Sequence, residues 1–149
     1  MEKLNERLAL IANIGVIAGV LFVGWEIQQN TEQMRADVAH NLMASFRDAG
    51  EPLTDKSNAE MFFRGFSGLE NLTASERYQF NNICAKYFRV AEEAYLHYHA
   101  GRLEDTYWQS LAGQHHMSLT VPGIRQTWKE TADNYNQAFK VWGDSLLIE

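Results

Sequence analysis

The sequence predicts an all-α protein: a single N-terminal transmembrane helix continuous with the first helix of a four- to five-helix bundle. Three observations predict it. Leu8–Trp25 is an 18-residue run without a charged side chain, the length that crosses a bilayer as a helix. Beyond it, apolar and aromatic residues recur every three or four positions, which marks amphipathic helices. No stretch shows the period of two that a half-buried strand requires. Residues 1–25 therefore read as a membrane anchor and residues 26–149 as one soluble helical domain, long enough for a single core.

The anchor is bounded by Arg7 and Glu26. Its leading MEKLNER carries Lys3 and Arg7, as a signal peptide would. The apolar run is longer than a usual signal core, and no A-x-A-like cleavage site precedes Glu26, so an uncleaved anchor is expected. A core helix of a soluble protein is the remaining alternative, kept open by Asn13 in the run. Gly15 and Gly19 form a G-x-x-x-G, with Ala12 on the same face. Small residues at that spacing let two membrane helices approach closely, and Asn13 can hydrogen-bond across the contact. Glycine is also simply common in membrane spans, and both readings stand. Lys3 and Arg7 precede the span and only Arg35 follows closely, which leans toward an inner N-terminus and an outer domain.

From Glu26 to Ala49 no glycine or proline interrupts the chain, and Ile27, Thr31, Met34, Val38, Leu42 and Phe46 share one face. One rod from near Leu4 to Ala49, roughly 70 Å long at 1.5 Å per residue, is expected, ending at Gly50-Glu51-Pro52. A short helix over Ala59–Phe66 follows, capped by Ser57 or Asn58 and crowded with Met61, Phe62, Phe63 and Phe66. Thr73-x-x-Glu76 is a capping box that opens a long helix to about Ala100, stopped by Gly101. The same threonine completes an Asn71-Leu72-Thr73 sequon, which the cap already explains. The long helix should bury Phe80, Ile83, Cys84, Tyr87, Ala91, Ala94 and Tyr98, with Arg89, Glu92 and Glu93 pairing on its solvated face. A further helix starts near Glu104–Asp105 and carries Tyr107, Trp108, Leu111 and Met117. Pro122 opens the last helix, in which Ile124, Trp128, Ala132, Tyr135, Phe139 and Trp142 form one stripe.

At Glu26-Ile27-Gln28-Gln29-Asn30-Thr31, Tyr107-Trp108 and Pro122-Gly123-Ile124-Arg125-Gln126-Thr127-Trp128, the chain resembles a broad bacterial group of small uncharacterised proteins. They have one N-terminal transmembrane helix and a helical domain. Tyr135 and Phe139 match the last helix of that group as well. The resemblance implies a tethered helical domain in a bacterial inner membrane and supplies no catalytic residue.

Composition narrows the functions. A formal charge of −6, almost all of it beyond the anchor, repels phosphate backbones, so no nucleic-acid role is expected. No basic cluster beside the anchor reads anionic headgroups. The single cysteine, Cys84, forms no internal disulfide and is expected as a buried thiol. Glu93 and His97 are four apart rather than the three of a di-metal bundle, and His97 and His99 point to different sides of a helix. His40, His115 and His116 are expected on surfaces or at helix ends. No nucleophile elbow, phosphate loop or dinucleotide fingerprint occurs. The expectation is accordingly no enzyme, no catalytic residue, no metal and no cofactor. The aromatics Trp108, Trp128 and Trp142 exceed what a small bundle needs, and they fill gaps in its interior or serve an interaction surface. The tail Leu146-Leu147-Ile148 must also bury itself somewhere. The expected partners are the lipid bilayer and other transmembrane helices, or a second copy of the chain. The expected role is assembly, as an accessory subunit or homo-oligomer. The alternative is a bundle that senses a small molecule or cofactor beside the membrane.

Overall fold

The computed structural model describes residues 2–147, without the side chains of Glu2, Lys3, Leu4 and Glu6. Ile148 of the expected apolar tail and the side chain of Lys3, counted for orientation, fall outside that description. The described residues form six α-helices and no strand: α1 (Glu2–Gly50), α2 (Lys56–Phe66), α3 (Ala74–His99), α4 (Asp105–Leu119), α5 (Pro122–Thr131) and α6 (Gln137–Ser145). Short 3₁₀ turns occupy Glu51–Thr54, Leu69–Asn71 and Ala132–Asn134. The fold is all-α, and its first helix is long, as the uninterrupted sequence requires.

The chain divides into two compact units at Ala36 and Asp37. In the first unit every residue from Arg7 to Asn30 is exposed. The apolar run buries none of its side chains, whereas a core helix buries most of its apolar face. One helix is thus long and apolar enough to cross a membrane. Its 18 residues rise about 27 Å, close to the hydrocarbon thickness of a bilayer. Ile27 and Met34, expected to face a domain core, are exposed as well. Thr31 and Val38 are half-buried, and the first buried residue is Ala39, within the compact unit that begins at Asp37.

The second unit holds the end of α1 together with α2 to α6, more helices than the expected four or five. Its larger apolar cluster joins Phe62 of α2, Phe80 and Phe88 of α3, Trp128 of α5 and Phe139 of α6. A smaller cluster sets Ala39 and Leu42 of α1 against Val90 and Ala94 of α3 and Leu111 of α4. Leu146 and Leu147 pack against the larger cluster, which accounts for the described part of the apolar tail.

Caps fix where these helices start. The Thr73/Glu76 capping box is present in both directions and opens α3. The helix ends at His99, and Gly101 turns the chain with φ +69°, a conformation that glycine takes without strain. α2 begins earlier than expected because its cap is Asp55, not Ser57 or Asn58: the Asp55 carboxylate accepts from both of those backbone N–H groups. A bond from the Ser57 hydroxyl, foremost, and the bonds from the Asn58 and Ser57 backbone hold the carboxyl below its usual range.

The expected last helix is two helices. α5 ends at Thr131, and Asn136 caps α6 by accepting from Ala138 N and Phe139 N. α3 holds this break in place. Arg89 Nη2 donates to Asn134 O at 3.0 Å, and Glu92 accepts from Asn136 N. Glu92 is therefore buried, not part of the solvated face on which it was expected, though its ion pair with Arg89 is present at 2.7 Å.

Two glycines set helix distances. A Cβ on Gly123 would lie 1.8 Å from the Gly65 carbonyl oxygen, so α2 and α5 cross with their backbones in contact. A Cβ on Gly143 would meet the Trp128 ring at 2.4 Å.

Candidate functional site

Of the residues singled out in the anchor, Ala12, Asn13, Gly15 and Gly19 are all exposed on α1. Beyond the helix's own backbone, no heavy atom lies within 4 Å of a Cβ built at Gly15 or Gly19. Among the described residues the G-x-x-x-G strip has no partner, and no contact with another part of the chain requires its glycines.

The three tryptophans separate. Trp128 is fully buried and is core, which corrects its candidacy for an interaction surface. Its ring stacks on Tyr135 at 5.6 Å, and its Nε1 donates to Asp144 at 3.0 Å. Trp108 and Trp142 are half-buried beside one another, 5.1 Å between ring centroids. Tyr98 stacks on Trp108 from the α3 side, and its hydroxyl donates to Asp105 at 2.7 Å. The P-G-x-R-x-x-W stretch is explained by packing: Gly123 permits the crossing, Arg125 donates to Leu119 O at the end of α4, and Trp128 fills the core.

His115 was expected near the surface and is buried. Phe88, Trp128, Phe139 and Trp142 surround its ring with centroids 5.3–5.7 Å away. Its Nε2 is enclosed without a hydrogen-bond partner. Burial, with a smaller contribution from His116, pushes its pKa down to about 4, so the imidazole is neutral at pH 7. The sequence did carry a signal: Leu111, His115 and Leu119 recur every four residues on α4, and all three are buried. Met117, expected on that helix's apolar set, is exposed instead.

His115 also forms part of the wall of a cavity of about 620 Å³ in the second unit. Phe46, Phe62, Leu111 and Ile124 supply its apolar surface, and Cys84 and Tyr87 reach it from α3. Burial pushes the Cys84 thiol up to about 12 and raises Tyr87 above its ordinary value. Cys84 is thus the expected buried thiol and has little thiolate character. A separate open groove of about 870 Å³ runs between the end of α1 and α3, with Asp48, Lys86, Arg89 and Glu93 along it. Among the described residues no three histidine, cysteine or acidic side chains converge as a metal site.

No family model, curated protein or solved structure matches the chain. The resemblance to small tethered bacterial proteins therefore stays an expectation, and function has to be argued from the residues themselves.

Proposed function

We propose that the protein is a non-catalytic, single-pass membrane protein that acts in assembly, as an accessory subunit of a membrane complex or as a homo-oligomer. The observation that supports this reading is the exposed run Leu8–Trp25, with no buried residue along it. Leaving such a surface in water costs about 25 cal/mol for each Å² of apolar area, and a bilayer removes that cost. The unpartnered strip of Ala12, Asn13, Gly15 and Gly19 supplies a face for a second membrane helix. In this reading the N-terminus lies inside and the helical domain outside a bacterial inner membrane.

Native mass spectrometry and crosslinking of the full chain in mild detergent test the proposal. A defined oligomer or a copurifying partner is expected; a strictly monomeric chain without one contradicts it. Gly15→Leu and Gly19→Leu sharpen the test, because a Cβ at either position meets nothing within 4 Å beyond the helix's own backbone. The variant carrying both substitutions is expected to lose association at least tenfold while the domain unfolds as before.

A further inference from the structure

The apolar cavity between α1, α3 and α4 has a wall with an uncommon property. Its lining residues include no aspartate, glutamate, lysine or arginine. It does include three ionisable side chains, Cys84, Tyr87 and His115, and burial moves each of them toward its neutral form. The cavity is therefore uncharged at neutral pH. At about 620 Å³ it lies within the 300–1,000 Å³ range of small-molecule sites. The site is open along Gln109, Gly113 and Met117, which are exposed, so a charged guest would lose part of its hydration there and gain no counter-charge. An uncharged hydrocarbon guest would meet Phe46, Phe62, Leu111 and Ile124.

We propose that this cavity binds an uncharged, hydrocarbon-rich small molecule carrying a single oxygen function, of the class of long-chain or aromatic alcohols. The lining places a few polar groups on α4 within reach of such an oxygen: Ser110 and Gln114, whose amide donates to the serine hydroxyl at 3.5 Å, and Ser118. Ser118 is already engaged, since its hydroxyl donates to His115 O at 2.7 Å. All lining residues belong to the second compact unit, so the inference stands apart from the membrane reading.

The test uses the full chain in lipid nanodiscs and a diazirine-bearing dodecanol as probe, with labelled peptides mapped by mass spectrometry. Saturable labelling within 84–91 and 109–118 is expected, reduced at least fivefold by excess dodecanol. Dodecanoate at neutral pH should compete at least tenfold less well than dodecanol. Gly113→Trp should cut the labelling at least fivefold, because Gly113 lines the cavity and a Cβ there meets nothing within 4 Å. Circular dichroism melting of that variant checks that it folds. 2-Phenylethanol as competitor separates the sources: stronger competition by this water-soluble aromatic alcohol supports a water-borne guest, and stronger competition by dodecanol supports one drawn from the bilayer. Labelling confined to 8–27, labelling without saturation, equal competition by dodecanoate, or unchanged labelling of a folded Gly113→Trp would each overturn the proposal.

Discussion

Acidification from pH 6.5 to pH 4 should cost the folded domain about 3 kcal/mol through His115 alone. The folded state holds this imidazole neutral down to about pH 4, among four aromatic rings and with Nε2 unpartnered. The unfolded chain takes up the proton near the ordinary histidine value of 6.5. Because the folded pKa is the lower one, this contribution is complete above pH 6.5. It declines as the pH falls toward 4 and stops changing below that. A displacement of about 2.5 units at ~1.4 kcal/mol per unit gives about 3.5 kcal/mol in all, of which about three quarters falls between pH 6.5 and pH 4. His115→Phe keeps an aromatic ring against the same neighbours and removes the titration. Urea unfolding of both proteins in a neutral detergent, followed by tryptophan fluorescence at half-unit steps of pH, isolates the effect as a difference of differences. Carboxylates such as Asp55 and Glu76, whose pKa values lie below the usual range, lose their stabilisation at lower pH and do so equally in both proteins. Parallel profiles for the two proteins between pH 6.5 and 4 would refute the burial argument.

Further outcomes follow from the packing. Gly123→Ala should destabilise the domain by about 3 kcal/mol or more, because backbone blocks the new methyl. Gly113→Ala, in open space on α4, should stabilise it by about 0.5–1 kcal/mol; denaturant titrations of the pair measure both. Trp128→Ala should cost about 3–5 kcal/mol in the same titrations, from lost core volume and a lost bond to Asp144. Glu92→Ala should cost about 1–3 kcal/mol by leaving Asn136 N–H without its acceptor, with Arg89 also released. Cys84 should resist a thiol reagent at pH 8 and react only as fast as the domain unfolds, which the absorbance of the released thiolate follows.

Most elements of the fold were legible in local chemistry. Thr73 and Glu76 announced α3, Pro122 announced α5, and the uncharged length of Leu8–Trp25 announced a helix with no partner inside the chain. The break between α5 and α6 was not legible, because the stripe from Ile124 to Trp142 keeps helical spacing across it. What interrupts the helix is tertiary: Arg89 and Glu92, over forty residues earlier in sequence, satisfy backbone groups at Asn134 and Asn136. Asp55 lost to Ser57 and Asn58 as the expected cap because all three are capping residues, and only backbone geometry chooses among them. His115 was misplaced for a different reason. Residue type suggested a surface position at a helix end, while the Leu111–His115–Leu119 spacing pointed inward, and periodicity proved the better guide. The cavity had no sequence signature, since its wall is drawn from five helices, α1 to α5, and mixes buried apolar side chains with polar residues of α4 that only the fold brings together.

The central claim is that Leu8–Trp25 holds the intact protein in a bilayer. Washing membranes that contain the full chain with alkaline carbonate, then weighing the extracted protein by intact mass spectrometry, tests it most directly. The protein is expected to stay with the membrane pellet at a mass that retains Leu8–Trp25. Release into the wash, or a mass shortened by loss of the N-terminal segment, would contradict it.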